Sequence, residues 1–191
     1  MTRIIGGAAG GRRLVTPRGS ATRPTSDRVR EALFSAVEAW SGSLSGLRFL
    51  DLYAGSGAVG LEAWSRGAGV VSFVEQDRRT AALIARNAES LGATRAYVAA
   101  SSVAATLRKS PSAPYDIVFA DPPYPLADEE VATALAALVH GDWLVPGALV
   151  VVERSARSPD LTWPEGLVGD RAKKYGETML WYGHAAPSTR S

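Results

Sequence analysis

The chain has 191 residues, 46% hydrophobic and 21% charged, with a formal net charge of +2, and a domain of this size removes roughly 70% of its unfolded surface from water, enough for a self-sufficient core. It contains no cysteine, which excludes disulfides, thiolate metal sites and a cysteine nucleophile. No stretch approaches the ~20 apolar residues of a membrane span and no apolar signal-like run opens the sequence, so a cytoplasmic protein without membrane contact is expected.

The charge is unevenly placed. Residues 1–30 hold seven arginines, Arg3, Arg12, Arg13, Arg18, Arg23, Arg28 and Arg30, against the single acid Asp27, so this segment is +6 and the remainder −4. Guanidinium forks among flexible glycines suit phosphate oxygens, which points to a polyanion as partner. Arg3-Ile4-Ile5 and Arg12-Arg13-Leu14-Val15 are β-prone runs separated by glycines, so residues 1–24 read as a small basic hairpin or arm. Thr25-Ser26-Asp27 then offers cap chemistry for a helix whose apolar stripe is Val29, Ala32, Leu33, Ala36, Val37 and Trp40, with Arg28 and Glu31 opposite.

From residue 47 the pattern becomes strand, turn, helix. Strands are predicted at 47–52, 70–74, 96–99, 116–120 and 144–152, and helices at 59–65, 78–91, 103–108 and 128–139. This alternation predicts an α/β Rossmann-like body with a mostly parallel sheet and helices on both faces. Two further strands, 167–175 and 177–182, meet at Gly176 as a terminal edge hairpin, which makes seven. The catalytic body is expected over residues 25–184, with 185–191 as a flexible tail. His140 and His184 have no partner motif, and surface or structural roles are expected for both.

The first predicted strand runs into Asp51-Leu52-Tyr53-Ala54-Gly55-Ser56-Gly57-Ala58-Val59-Gly60. Gly55, Gly57 and Gly60 form a G-x-G-x-x-G turn between strand and helix, and Glu75 ends the next strand 20 residues after Gly55. An adenosine-type ligand follows. Asp51 separates its candidates, because a carboxylate at the strand tip repels a pyrophosphate and attracts the methionine ammonium of S-adenosylmethionine. The loop amides and helix N-terminus can take the methionine carboxylate, and Glu75 the ribose hydroxyls. Tyr53, Ala54, Gln76 and Ser102 complete the expected cofactor set, with Ser102, beside Ser101, the candidate contact to adenine.

Asp121-Pro122-Pro123-Tyr124 follows the fourth predicted strand, at the sheet edge where open α/β folds bind ligands. An exocyclic amino nitrogen is a poor nucleophile because its lone pair is delocalised into the ring. Acceptors that hold its two N–H bonds turn that lone pair toward an electrophilic methyl: Asp121 is one, and the Pro122 carbonyl, on a stiffened backbone, the other. Tyr124 offers a flat face to a base lifted from its stack. Catalysis is then mainly alignment, without a metal or a covalent intermediate.

These motifs resemble those of the amino-methyltransferases of nucleic-acid bases. Arg3-Ile4-Ile5-Gly6-Gly7, Gly11-Arg12-Arg13-Leu14 and the run Arg23-Pro24-Thr25-Ser26-Asp27-Arg28-Val29-Arg30-Glu31 are similar, more closely, to the RsmD family of bacterial small-subunit rRNA guanine-N2 methyltransferases. Gly60-Leu61-Glu62-Ala63, Arg86-Asn87-Ala88 and Lys173-Lys174-Tyr175-Gly176-Glu177-Thr178 share that resemblance, which spans nearly the whole chain. It implies S-adenosyl-L-methionine as cofactor, N2 of one guanine in 16S rRNA as target and the assembled small ribosomal subunit as partner. It also implies that the arm grips RNA and that Thr25 flanks the cofactor pocket; nothing in the sequence requires more than a monomer, which is the expected state.

Three other readings compete. A DNA adenine or cytosine amino-methyltransferase would use the same chemistry, but little chain is left over for reading a duplex through its grooves, whereas structured RNA is recognised by shape and phosphate placement. An NAD-dependent oxidoreductase is opposed by Asp51 and has no use for Asp121 to Tyr124. A non-catalytic RNA-binding assembly factor would have no need of Asp51, Glu75, Asp121 and Tyr124 together.

Overall fold

The computed structural model describes residues 2–17, 26–123 and 126–187. Two-residue strands β1 (Thr2–Arg3) and β2 (Arg13–Leu14) pair antiparallel at the start of the chain. They are followed by α1 (Asp27–Ser41), β3 (Arg48–Leu52), α2 (Ala58–Ser65), β4 (Val70–Glu75), α3 (Arg78–Leu91), β5 (Ala96–Ala100) and α4 (Val103–Leu107). Then come β6 (Tyr115–Ala120), α5 (Asp128–His140), β7 (Leu144–Ser155), β8 (Leu167–Tyr175) and β9 (Thr178–Ala185). The large sheet has seven strands in the order β5-β4-β3-β6-β7-β9-β8. β3 to β7 run parallel, and β9 is antiparallel to both β7 and β8. The chain winds outward from β3 to β5 and then crosses back to β6, so the switch point that opens a ligand crevice lies between β3 and β6.

Helices cover both faces because the central strands are apolar on both sides. Phe49, Phe73, Ile117, Phe119 and Val151 pack with α1, α2 and α3, while Leu50, Val74, Val118, Val150 and Val152 pack with α4 and α5. The third glycine of the loop serves this packing: a Cβ on Gly60 would stand 2.3 Å from Cε1 of the buried Phe73 ring.

The basic arm is fastened to this body. Ile4, Ala9 and Leu14 belong to the core on the α1–α3 face. Glu62 of α2 accepts the Ile5 and Gly6 N–H groups at 2.8 and 2.9 Å. Asn87 of α3 accepts the Val15 N–H and donates to the Val15 carbonyl, both at 2.9 Å, and also donates to the Ser56 carbonyl in the glycine loop at 3.5 Å.

Three expectations are corrected here. Arg30, grouped with the phosphate-binding arginines, is fully buried. Its Nη2 donates to the Arg3 carbonyl and to Asp27, and its Nε lies 3.6 Å from the equally buried Glu62. The buried side of α1 runs through Val29, Arg30, Leu33, Phe34 and Val37 and leaves Trp40 44% exposed, although Trp40 fits the apolar stripe. Ala185, assigned to the tail, ends β9 and is buried, because pairing with β8 continues to Leu167.

Candidate active site at the carboxyl edge of the sheet

β3 ends one residue before a backbone turn that few side chains tolerate. Tyr53 has φ +56°, and Gly55 and Gly57 have φ +57° and +80°, a left-handed run that reverses the chain into α2. Gly57 is the N-cap and has no side chain to offer the helix. Asp51 fills that role from below: it is 1% exposed, and one carboxylate oxygen accepts the Gly60 N–H at 2.9 Å. The acid therefore sits beneath the loop and braces α2, where the sequence reading has it at the strand tip. Burial pushes its carboxyl well above the ordinary aspartate range; the Gly60 bond opposes this, and the charge of Glu75 adds to it.

Glu75 ends β4 and accepts two backbone amides, Gly55 at 3.0 Å and Asp77 at 2.7 Å, so it shapes the loop directly. Ser102 caps α4 by accepting the Ala105 N–H at 3.1 Å, which engages the hydroxyl proposed to read adenine. A cavity of about 530 Å³ opens beside these residues. Tyr53, Gln76, Ser102 and Val103 line it on the loop side, and it runs on between α4 and α5 past Leu107 and Glu130. Burial raises the Tyr53 phenol, and Glu130 adds to the rise.

Asp121 leaves β6 beside this loop, since Leu52 and Ala120 are register partners and the Asp121 N–H donates to the Leu52 carbonyl at 3.4 Å. Pro122 is buried and Pro123 exposed, with the Pro123 carbonyl accepting the Leu126 N–H at 2.9 Å. Tyr124 lies outside the described residues, as do Thr25, Arg18 and Arg23. Arg3, Arg12, Arg13 and Arg28 are exposed, with Arg12 donating to the Ser90 carbonyl at 2.9 Å.

Two functional candidates escape the sequence reading. β7 continues past residue 152 to Ser155, and Glu153 on that extension stands beside Asp121, since Ala120 and Val152 are register partners. Arg154 donates to the Leu126 carbonyl at 3.3 Å and to Asp128 at 2.9 Å, tying down the segment after the Asp-Pro-Pro turn. An acid ending an apolar strand, as Asp51 and Glu75 do, was the available signal for Glu153. Burial pushes the Asp121 carboxyl well up, the charge and hydrogen bond of Glu153 and the charge of Asp51 add to this, and Arg154 opposes it.

The model of the family described as Conserved hypothetical protein 95 matches residues 2–184. The ribosomal RNA small subunit methyltransferase D of Escherichia coli strain K12 is 37% identical over 175 residues, 92% of this chain and 85% of its own length. The solved structure of the putative methyltransferase yhhF from Escherichia coli has a TM-score of 0.85 at 33% identity, covering 96% of this chain and 97% of that one. At 16% identity, an RNA methyltransferase from Salinibacter ruber, solved with S-adenosyl-L-homocysteine, shares the fold with a TM-score of 0.65 over 88% of this chain and 97% of its own. With the family matched along almost its entire length, the chain belongs to the Conserved hypothetical protein 95 family, that of the RsmD methyltransferases, and has their Rossmann-like class I fold.

Proposed function

We propose that the protein transfers a methyl group from S-adenosyl-L-methionine to the exocyclic N2 of one guanine in 16S rRNA, acting as a monomer on the small ribosomal subunit. The observation that carries this reading is the adjacency of Asp121-Pro122-Pro123 to the glycine loop across the β3–β6 switch point. It is supported by membership of a family whose relatives are named ribosomal RNA small subunit methyltransferase.

The residues at the loop fit the cofactor. Glu75 retains lone pairs for ribose hydroxyls beyond the two amides it already accepts. The cavity wall of Tyr53, Gln76, Ser102 and Val103 can receive a flat ring. Asp51, raised by burial, regains its ionised form beside a bound ammonium group, whereas a pyrophosphate would meet Asp51, Glu75 and Asp121. When bound, the cofactor supplies a methyl group activated on a sulfonium.

The chain's own residues supply alignment. Asp121 accepts one amino N–H of the guanine, the Pro122 carbonyl accepts the second, and Tyr124 stacks on the base. Exposed Arg3, Arg12, Arg13 and Arg28, with Arg18 and Arg23 of the same segment, contact phosphates, so residues 1–24 form the RNA-gripping arm.

The test is incubation with methyl-labelled S-adenosylmethionine and, separately, duplex DNA, naked 16S rRNA and small subunits lacking their modifications, followed by nucleoside analysis. Label in N2-methylguanosine is the expected result. Label in N6-methyladenine or N4-methylcytosine from DNA would overturn the substrate, and no label in any arm would overturn the enzymatic reading.

A further inference from the structure

Asp121 and Glu153 stand side by side at the carboxyl edge of the sheet, and Asp51 lies one step further back on the same face, level with Phe119 and Val151. Phe49, Phe119 and Val151 place the alternate residues of β3, β6 and β7 on the α1–α3 face, and the next residues on that face are these three acids. Ala120 and Val152 are register partners, so Asp121 and Glu153 follow side by side. Two carboxyls placed side by side at neighbouring strand ends disfavour a second negative charge, and the charge of Glu153 helps hold the Asp121 carboxyl up, so the pair is set to retain one proton.

We propose that Glu153 is a working part of the methyl-transfer site: together with Asp121 it forms a carboxyl pair holding one proton, and the pair accepts the proton that the target amine must lose. This rests on the function proposed above. Alkylation leaves the amino nitrogen cationic. Its N–H bond breaks and an O–H bond forms on Asp121, while the proton already between the carboxyls settles on Glu153. The pair goes from one negative charge to none and the amine from one positive charge to none. Half-buried Glu153 then returns the extra proton to water.

The arrangement resolves a tension at Asp121. A carboxyl that retains a proton still offers its carbonyl oxygen to the substrate N–H, but alone it is a weak proton acceptor. A partner carboxylate at the neighbouring strand end supplies the missing basicity. Among the described residues, the charged groups acting on Asp121 besides Glu153 are Asp51 from β3 and Arg154 from β7. Lys173 of β8 stands two strands away on the same face, in register with Glu153 through Leu180.

The experiment compares wild type with Glu153→Gln, which keeps size and hydrogen bonding but accepts no proton. The first readout needs neither cofactor nor RNA: the Asp121 carboxyl is titrated by NMR in protein labelled with 13C at the aspartate carboxyls, assigned with Asp121→Asn. With the neighbouring charge gone, its midpoint is expected to move to lower pH by about one unit or more; an unmoved midpoint overturns the pair.

The second readout is kinetic. The expected loss in kcat is about 10²-fold, with the RNA KM and the cofactor Kd within about threefold, and the acid limb of the kcat profile displaced to lower pH. Glu153→Asp, which restores a carboxyl, is expected to recover part of kcat. Unchanged kcat in Glu153→Gln, or equal loss in Gln and Asp variants, overturns the proton role. Failure of wild type to methylate any RNA would instead sink the proposed function and the amine as proton source, while the titration still decides whether the carboxyl pair exists.

Discussion

Glu62 joins the arm to the helix that supports the glycine loop, and Glu62→Gln tests that junction. Both Glu62 and Arg30 are fully buried, and the carboxylate faces four donors: the Ile5 and Gly6 amides, Arg66 Nε at 2.9 Å and Arg30 Nε at 3.6 Å. An amide has a single acceptor oxygen, so its NH2 must confront at least one of these N–H groups, and Arg30 is left without its buried counter-charge. Arg30 can ill absorb the loss, because its Nε and Nη1 already have no hydrogen-bond partner among the described residues and burial holds its pKa below the ordinary arginine value.

Breaking a buried pair costs about 3–5 kcal/mol. The lower end applies here, since Arg66 is 14% exposed and can turn to water. At about 2–4 °C per kcal/mol for a domain this size, about 3 kcal/mol lowers Tm by about 6–12 °C. Thermal unfolding followed by circular dichroism reads the shift, and hydrogen exchange at Ile5 and Gly6 reads release of the arm. A Tm within about 2 °C of wild type with unchanged exchange would refute the view that the buried carboxylate anchors the arm.

Asp121→Asn is expected to abolish methyl transfer, with cofactor affinity within a few-fold by calorimetry, and to stabilise the fold. Burial and Glu153 raise the Asp121 carboxyl when folded, so wild type keeps its full stability below the ordinary value of 3.8 and loses part of it as pH rises through the raised one. The Tm advantage of the Asn variant should be near zero at about pH 4 and positive at about pH 8; a constant offset would contradict the assignment. Gly60→Ala drives a methyl into the Phe73 ring, and a loss of about 1–3 kcal/mol with weaker cofactor binding is expected by denaturation and calorimetry. Reversing exposed Arg12 and Arg13 to Glu should weaken RNA binding and reduce the salt slope of log K by about one per arginine, with cofactor affinity unaffected. Charge reversal is a cleaner probe than deleting the arm, because deletion would also strip Ile4, Ala9 and Leu14 from the core.

Much of this was legible in the residues because the signals are local. Apolar strand runs separated by helical spacing predict the alternation and its parallel sheet, and the glycine turn and Asp-Pro-Pro turn mark two strand ends. Ser26 and Asp77 cap α1 and α3 with their own side chains, as such residues do. The inward turn of Arg30 was not legible, since Arg28 and Arg30 look alike until Glu62, 32 residues away, is folded against one of them. Asp51 was read for its charge toward a ligand, yet its nearest obligation is the Gly60 amide, which the capless start of α2 leaves unsatisfied.

The sequence by itself determined the fold class, the two loops proposed to carry the chemistry and the family, because each depends on residues close together in the chain. Only the tertiary structure decided that the basic arm is part of the core, that Arg30 is an internal cation, and that Glu153 stands beside Asp121. Those facts depend on strand order and register, which bring residues 32 apart in sequence onto neighbouring strand ends, and a register is set by the packing of whole faces that no local pattern contains.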